Sequence, residues 1–332
     1  MPAPPAASPA ASPRWATVAL VATTAIWGGS FLMGKVALEE LTPADTALWR
    51  FLIAGVSFLP LVRRVPRPAT AREWGHVALA ALLGVPLLFV LQLEGLSRTT
   101  ATKSALMIGT LPPMAALVAV VALGERLTAR VAVSLLLSCA GLALVIGLPG
   151  AGGSLTGDLL VILSVAVSVA FIMLSRPLTV RLGALGTSVW TMLLGAAWLL
   201  LLVPLWKGVP HVPQKPSTWA ALLGLGVACT TVAQPLWNVG LRALGAARAS
   251  LFVNLEPVFG ALLGVLVLRE PFGLGLAAGG GLVLAAALLA AWEPSPAPSA
   301  DSEAAFGHDE LIVDAAATEG GGLAADLPAY RE

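Results

Sequence analysis

One carboxylate, Glu256, stands inside an apolar segment of the sequence, directly before Pro257. An ionisable side chain within a long apolar segment is costly unless it faces a cavity or has a partner. Pro257 lacks a backbone N–H, so the carbonyl of Val253 is left free to meet water, a small molecule or a side chain. Glu256 is therefore the leading candidate to bind an ammonium group or to carry a proton. The alternative is a helix-end residue that pairs with Arg50 or Arg248 for structural reasons.

Several polar or amphipathic side chains interrupt the other apolar segments. They are Trp27, Ser30, Gln92, Gln234, Trp237, Asn238 and Asn254. A cavity that accepts a small zwitterion or an aromatic metabolite needs a few such groups on mainly apolar walls. Buried amides and hydroxyls also bond one helix of a bundle to another, which is the competing interpretation for each of them.

Three basic residues near the ends of apolar segments form a second set of candidates. Lys35 and Arg50, together with Lys103, could make a basic rim that attracts carboxylates. Long basic side chains near helix ends also extend to the lipid headgroups, and that interpretation stays open.

The remaining carboxylates near segment ends favour structural roles. Glu94 is four residues before Arg98, so the two are predicted to form a salt bridge on one helical face. Glu125 and Glu270 each end a segment in a short loop next to an arginine. We expect solvated or structural pairing at both.

The sequence offers little for catalysis. His76, His211 and His308 lie apart, and no cysteine or carboxylate cluster joins them, so we predict no metal site. A phosphate-binding Gly-rich loop ending in Lys and Ser or Thr is absent from the sequence, which excludes an ATP-driven pump within this one chain. We expect no cofactor and no enzymatic activity. A polytopic membrane enzyme is the alternative from another class, but no paired carboxylates stand out for it.

The elements that must position these residues are membrane helices. The chain of 332 residues is 58% hydrophobic and only 11% charged, whereas a soluble domain usually has about a quarter charged residues. A spanning helix needs about 20 mostly apolar residues. Ten such segments are predicted, at 15–36, 46–62, 74–96, 101–123, 131–148, 157–174, 187–205, 219–240, 249–267 and 274–292. The predicted fold class is an all-α polytopic membrane protein with ten transmembrane helices.

A repeat within the sequence divides the bundle into halves. The stretch 95–125 aligns with 240–270 at a constant offset and without a gap, so that Pro112 recurs as Pro257 and Glu125 as Glu270. Five helices per half is an odd number, so the halves at 15–148 and 157–292 are predicted to be inverted relative to each other. Two such halves can exchange roles around a site between them, and the architecture favours a transporter.

The ends and the orientation follow from charge. Lysines and arginines in the alternate loops show a bias of about two to one that places both termini in the cytoplasm. Residues 1–14 are rich in proline, alanine and serine, and 293–332 form a tail with nine acidic residues against Arg331. Both segments are predicted to be disordered, because neither buries enough apolar surface to offset its chain entropy.

Four motifs resemble those of the EamA-type transporters of the drug/metabolite transporter superfamily. They are Ile26-Trp27-Gly28-Gly29-Ser30-Phe31 followed by Lys35, Arg50-Phe51, Leu111-Pro112-Pro113 leading to Leu123-Gly124-Glu125-Arg126-Leu127, and Asn254-Leu255-Glu256-Pro257-Val258-Phe259 leading to Arg269-Glu270. The resemblance covers 15–292. Arg269 departs from it, because the first repeat has Gly124 at that place.

The resemblance implies a function. It leads us to expect a central cavity that opens to each side in turn and exports small metabolites from bacterial cells, amino acids or related compounds foremost. The expected location is the bacterial cytoplasmic membrane. A transporter of phosphorylated or nucleotide-linked metabolites is the alternative within transport. The expected partners are a small-molecule metabolite and the lipid bilayer, with no nucleic acid. The oligomeric state stays open.

Overall fold

The chain folds into a helical bundle whose long apolar helices are suited to a bilayer. The computed structural model describes residues 13–123, 127–147, 152–244 and 246–291, and no β-strand occurs among them. Seven helical stretches in these residues are long and apolar enough to cross a membrane, and two shorter apolar helices follow them. The predicted all-α membrane class is therefore confirmed. Residues 1–12 and 293–332 of the predicted disordered termini lie outside the described residues, as do Glu125 and Trp292, whereas Pro13 and Arg14 begin the first helix.

The helices are numbered in chain order. Their bounds are α1 Pro13–Leu38, α2 Pro43–Phe58, α3 Ala71–Leu82, α4 Leu88–Arg98, α5 Ala101–Ile108, α6 Leu111–Leu123, α7 Ala129–Gly147, α8 Leu155–Lys207, α9 Pro216–Leu223, α10 Ala233–Leu244, α11 Ala246–Val253, α12 Leu255–Leu266 and α13 Leu274–Ala291. A 3₁₀ turn at Leu59–Arg64 extends α2, and π-helical turns at Leu83–Leu87 and Gly224–Val232 join α3 to α4 and α9 to α10.

Two predicted spans are interrupted at the same place of the repeat. The predicted span over 101–123 is broken at Gly109 and Thr110, between α5 and α6, and the span over 249–267 is broken at Asn254, between α11 and α12. Gly109 and Asn254 are separated by the same offset as Pro112 and Pro257. Proline has no N–H to donate and disfavours helical backbone in the residue before it, so each repeat ends one helix and begins another just ahead of its proline.

One helical stretch is too long for a single crossing. The 53 residues of α8 include Gly183, whose φ of 72° and ψ of 167° lie outside the helical region. A straight helix of this length would extend for about 80 Å, against about 30 Å of bilayer hydrocarbon. Gly183 therefore divides α8 into two arms, in the interval between the predicted spans 157–174 and 187–205.

Glycines let helices approach closely where the bundle halves meet. A Cβ atom on Gly28 of α1 would lie 2.8 Å from the carbonyl oxygen of Glu256, and one on Gly260 would lie 2.5 Å from the Cβ of Ala105. On the other side of the bundle, a Cβ on Gly279 would lie 2.9 Å from the carbonyl oxygen of Gly141. The absence of a side chain at these glycines therefore allows helices of the two halves to pack closely.

A carboxylate outside the membrane segments fastens the start of α9. Glu40, in the turn after α1, accepts hydrogen bonds from the backbone N–H of Gln214 at 2.5 Å and from the hydroxyl of Thr218 at 2.5 Å. The backbone N–H of Lys215 also donates to it. These bonds, with that from Thr218 foremost, hold the pKa of Glu40 below its ordinary value. Glu40 thus ties the α1–α2 turn to the segment that leads into α9.

Candidate functional site

Arg50 of α2 is buried in the first half of the bundle. Its side chain is only 7% exposed, and its guanidinium carbon lies 4.4 Å from the ring centroid of Phe89 and 5.2 Å from that of Phe51. The Nε–H of Arg50 has no hydrogen-bond partner among the described residues. The two aromatic rings favour the cation from one side. A buried, incompletely bonded guanidinium of this kind is suited to an anionic ligand.

Glu256 of α12 lies in the second half and faces the same region. It is in the first turn of α12, immediately after the break at Asn254, and its side chain is half-buried. Arg50 is the cation that acts on it electrostatically. Among the described residues, Glu256 and Arg50 do not form an ion pair within 4 Å. The two opposite charges therefore attract each other over a longer distance.

Two tryptophans border this region. The rings of Trp27 on α1 and Trp237 on α10 have centroids 5.5 Å apart at an angle of 38°, and Trp27 Nε1 donates to the carbonyl oxygen of Cys229 at 3.0 Å. Cys229 lies in the π-helical turn, where the N–H of Ala233 bonds to the carbonyl of Ala228 and the helical pattern is shifted by one residue. Such wide turns free backbone carbonyls for other partners. Trp27 is held in place by one of them.

The other predicted site residues divide into three groups. Ser30, Gln92 and Gln234 are half-buried. Asn254 is buried and donates through Nδ2 to the carbonyl of Leu251 at 3.3 Å, so it supports the break between α11 and α12. The side chain of Asn238 lies outside the described residues.

Lys35 and Lys103 are part of a separate buried polar cluster. Lys103 Nζ lies 2.5 Å from Asp158 Oδ2, with side chains only 3% and 1% exposed. Thr99 Oγ1 donates to the other oxygen of Asp158 at 2.5 Å, and Lys35 Nζ donates to the carbonyl of Thr99 at 2.5 Å. These contacts join α1, α5, α8 and the α4–α5 junction. The exposed pair predicted between Glu94 and Arg98 is confirmed nearby, at 2.9 Å.

Glu270 completes this cluster in a role that the sequence did not predict. Its two carboxylate oxygens accept the backbone N–H groups of Ala101 and Thr102, each at 2.7 Å, and it attracts Lys35 electrostatically. A helix begins with N–H groups that lack partners within the helix, and a carboxylate there is also favoured by the helix dipole. Glu270, in the loop before α13, therefore caps α5 and fastens the second half of the chain to the first.

Sequence reasoning assigned Glu270 to its neighbour Arg269 and did not single out Asp158. Two signals were available: Glu270 recurs as the last residue of the repeat, and Asp158 is a carboxylate at the start of a predicted span. We name the set Lys35, Thr99, Lys103, Asp158 and Glu270 the end cluster.

The fold and the charges define a class of protein. A multi-pass helical bundle whose repeated helices are interrupted at equivalent places, with opposite charges from the two halves facing each other, has the features of a secondary transporter. The sequence comparisons specify the family. The model of the EamA-like transporter family matches twice, over residues 14–147 and 155–292. The chain belongs to this family.

Individual relatives extend over most of the chain. An uncharacterized transporter of Archaeoglobus fulgidus is 29% identical over 81% of this chain and 95% of its own length. The uncharacterized transporter YdeK of Bacillus subtilis is 30% identical over 76% and 88%. A protein of Streptantibioticus cattleyicolor named as a probable terminal-alkyne amino-acid exporter is 27% identical over 82% and 91%. These relatives are named as transporters, not as enzymes.

A solved crystal structure also has this fold. It superposes with a TM-score of 0.59 at 21% identity, covering 83% of this chain and 96% of its own. At that identity the likeness extends to the fold alone.

Proposed function

We propose that this protein exports small zwitterionic metabolites, amino acids or related compounds, by alternating access. Arg50 binds the substrate carboxylate, and Glu256 binds its ammonium group. The observation that carries the proposal is the placement of these opposite charges on different halves of the bundle, attracted to each other without an ion pair within 4 Å. A zwitterion that lies between them would satisfy both charges, because it presents one of each sign.

The motion is a rocking of one half against the other. We propose ten spanning helices in two inverted repeats at 15–148 and 157–292, with both termini in the cytoplasm of a bacterial cell. The double family match and the division of α8 at Gly183 support this count, because each half then has five crossings. The break before α6 and the break before α12 support a site at the level of Pro112 and Pro257, since interrupted helices in corresponding places of two repeats commonly bind the substrate.

The walls of the site suit a mainly apolar side chain. Trp27 and Trp237 supply aromatic surface beside the charged pair, while Ser30, Gln92 and Asn238 are proposed to add hydrogen bonds. The Streptantibioticus relative is named as a probable exporter of a terminal-alkyne amino acid, which supports an amino-acid substrate.

A phosphorylated or nucleotide-linked substrate is the alternative. Such a substrate needs several unpaired cations, because a phosphate group carries more charge than a carboxylate. Of the three cations considered for a basic rim, Lys103 is paired with Asp158 and Lys35 donates to a carbonyl in the end cluster. Among the described residues, Arg50 is the one of the three whose side chain has neither a hydrogen bond nor an ion pair, and this favours the zwitterion.

The test is metabolite profiling of medium and cytoplasm from cells that express the intact chain, Glu256→Gln or an empty vector. Glu94→Gln is the matched control, because Glu94 is in an exposed pair at a helix end. We expect specific amino acids to accumulate in the medium with the intact chain and with Glu94→Gln, and not with Glu256→Gln. Equal profiles for all strains, with the protein confirmed in the membrane, would contradict export. Full activity of Glu256→Gln would remove that residue from the mechanism.

Glu256 has a second possible role, which is proton coupling. Proteoliposomes loaded with the identified compound separate the two. If Glu256→Gln loses gradient-driven accumulation but still exchanges labelled for unlabelled compound, Glu256 acts in proton coupling. If the variant loses both activities, Glu256 binds the substrate.

A further inference from the structure

A cavity lies between the start of α3 and the part of α8 just before Gly183. It has a volume of about 420 Å³ and is lined by Thr70, Arg72, Glu73, His76, Pro177, Leu178 and Arg181. The first four residues belong to the start of α3, and the last three to α8 just before Gly183. The volume lies within the range of small-molecule sites. No residue of the transport site described above takes part in it.

The charge of this cavity is positive. Arg72 is exposed, and the geometry of the described residues gives it no hydrogen bond or ion pair. Arg181 forms an ion pair with Glu73, whose other oxygen accepts the N–H of Ala69 at 2.7 Å. The one carboxylate of the cavity is thus engaged by the protein itself. Arg72 and the outer nitrogens of Arg181 remain available to an anion.

The surrounding sequence strengthens that charge. The two segments of the sequence that include the cavity residues and their neighbours, 59–76 and 174–186, contain one acidic residue, Glu73, and six arginines, at positions 63, 64, 67, 72, 176 and 181. His76 adds a further group. Its Nε2 donates to the carbonyl of Leu174 at 2.9 Å, which leaves Nδ1 for another partner. Arginine binds phosphate oxygens with two parallel hydrogen bonds, which a lysine does not match.

The cavity is also amphipathic. Its floor contains Pro177 and the buried Leu178, and both helices continue into exposed apolar surface, at Leu79 on α3 and Val180 on α8. The candidate membrane span begins at Ala71, so the arginines lie at the level where the chain enters the bilayer. A ligand held here would have its anionic group among the arginines and hydrocarbon beside the helices.

We propose that this cavity binds the phosphate group of an anionic phospholipid. The phosphodiester accepts hydrogen bonds from Arg72 and Arg181, and the acyl chains lie along the apolar surface of α3 and α8. Basic cavities between helices on the cytoplasmic side of a membrane suit such headgroups. The apolar floor and the position at the membrane boundary favour a lipid over free phosphate. They also favour it over the acidic tail at 293–332, whose nine carboxylates are dispersed over forty residues with Asp309 and Glu310 as the one adjacent pair.

The test uses the purified full-length protein in detergent. The rise in Tm is measured as dioleoyl phosphatidylglycerol or dioleoyl phosphatidylcholine is added, since a ligand that binds the folded state raises Tm with its concentration. We expect a larger rise with phosphatidylglycerol. Arg72→Gln should weaken this effect about tenfold in lipid concentration, because it removes charge-assisted hydrogen bonds. Arg67→Gln is the matched control, because it removes an equal charge from the exposed loop just before α3 and outside the cavity, and it should respond as the intact chain does.

Further variants keep the assignment specific. Arg181→Gln should reproduce the loss, and native mass spectrometry should show fewer retained phosphatidylglycerol molecules on both variants. Equal lipid responses of Arg72→Gln and Arg67→Gln would overturn the proposal, since only general surface charge would then be at work. Equal stabilisation by soluble glycerol phosphate would assign the cavity to a free anion. A phosphatidylglycerol response that appears only after residues 293–332 are removed would assign it to the tail.

Discussion

Glu270 fastens the two halves at the end cluster, and its loss should open the bundle there. In Glu270→Gln the amide oxygen can still accept one N–H of α5, but the amide NH₂ faces the other N–H and cannot accept it. The wild-type carboxylate makes two bonds of 2.7 Å, and a hydrogen bond to a charged group contributes about 1.5–3 kcal/mol. One such bond is lost and the other becomes an ordinary neutral bond. The contact between the halves at the end cluster should therefore weaken by about 2–4 kcal/mol, which shifts the equilibrium between joined and separated halves there by about 30- to 1,000-fold.

The assay is the accessibility of a cysteine placed between the halves. Cys139 and Cys229 are replaced by alanine, and Ser30→Cys on α1 supplies the reporter. A membrane-impermeant maleimide is applied to vesicles of each orientation, and its rate of reaction with the reporter is measured. We expect faster labelling in Glu270→Gln from the side of the end cluster alone, because a population shift acts on the rate through the open fraction.

Glu94→Gln is the control for this experiment, since its pair with Arg98 is at the same end but exposed. Exposed pairs contribute about 0–1 kcal/mol, so its labelling should remain within a few-fold of the starting protein. An unchanged rate in Glu270→Gln from both sides would refute the reasoning, because it would mean that the α5 cap does not hold this end closed. Faster labelling from both sides would also refute it, since that result indicates general loosening.

Three further predictions follow from the described contacts. Arg50→Gln should reduce transport of the exported compound at least about tenfold at equal expression. The reason is that, among the described residues, Arg50 is the one positive charge that acts on Glu256. Transport of a substrate without a carboxylate should be affected less in the same assay. In thermal unfolding, Gly28→Ala should lower the free energy of unfolding by about 1–3 kcal/mol, because the added Cβ overpacks against α12. Gly29→Ala is the control: its added Cβ would lie 3.6 Å from the nearest side-chain atom, so this variant should be neutral or slightly stabilising. The pKa of Glu40 is lowered in the folded state, so the stabilisation that Glu40 provides is complete above the ordinary glutamate pKa and is lost as the pH falls through the lowered value. Hydrogen exchange of the backbone amides at 211–218 should therefore increase on acidification below about pH 4. Glu40→Gln should remove this pH dependence.

Hydrophobicity and charge in the sequence singled out candidate site residues but did not predict their partners in the fold. Glu256 stood out because a carboxylate within an apolar span is unusual, and Glu94 because a residue four positions away carries the opposite charge. Glu270 bonds to Ala101 and Asp158 to Lys103 across distant parts of the chain. Such contacts depend on which helices are neighbours, and the apolar pattern of a span does not specify this.

The helix breaks were missed for a related reason. The apolar segments at 101–123 and 249–267 continue through Gly109 and Asn254 with no polar loop, so a hydrophobicity criterion reads each as one span. In a bilayer an interrupted helix is tolerated where its free backbone groups face protein or a cavity. The prolines carried the signal. Pro257 was read as freeing one carbonyl, whereas the structure ends one helix and begins another in front of it.

The residues that follow the equivalent helix breaks differ between the two halves. Because of this difference, the two ends of the proposed site carry opposite charges. In the second repeat the new helix places Glu256 in its first turn, where the helix dipole favours a negative charge. The corresponding residue of the first repeat is Leu111, which has no charge, and the opposing cation comes instead from Arg50 on α2. The proposed site therefore has one negative and one positive end within a scaffold of two similar halves. A zwitterion of the proposed kind would bind between them in one orientation only, with its ammonium group toward the second half. When the two halves exchange their inward-open and outward-open arrangements, the site would face the other side of the membrane. The bound molecule would keep its orientation relative to the two charges.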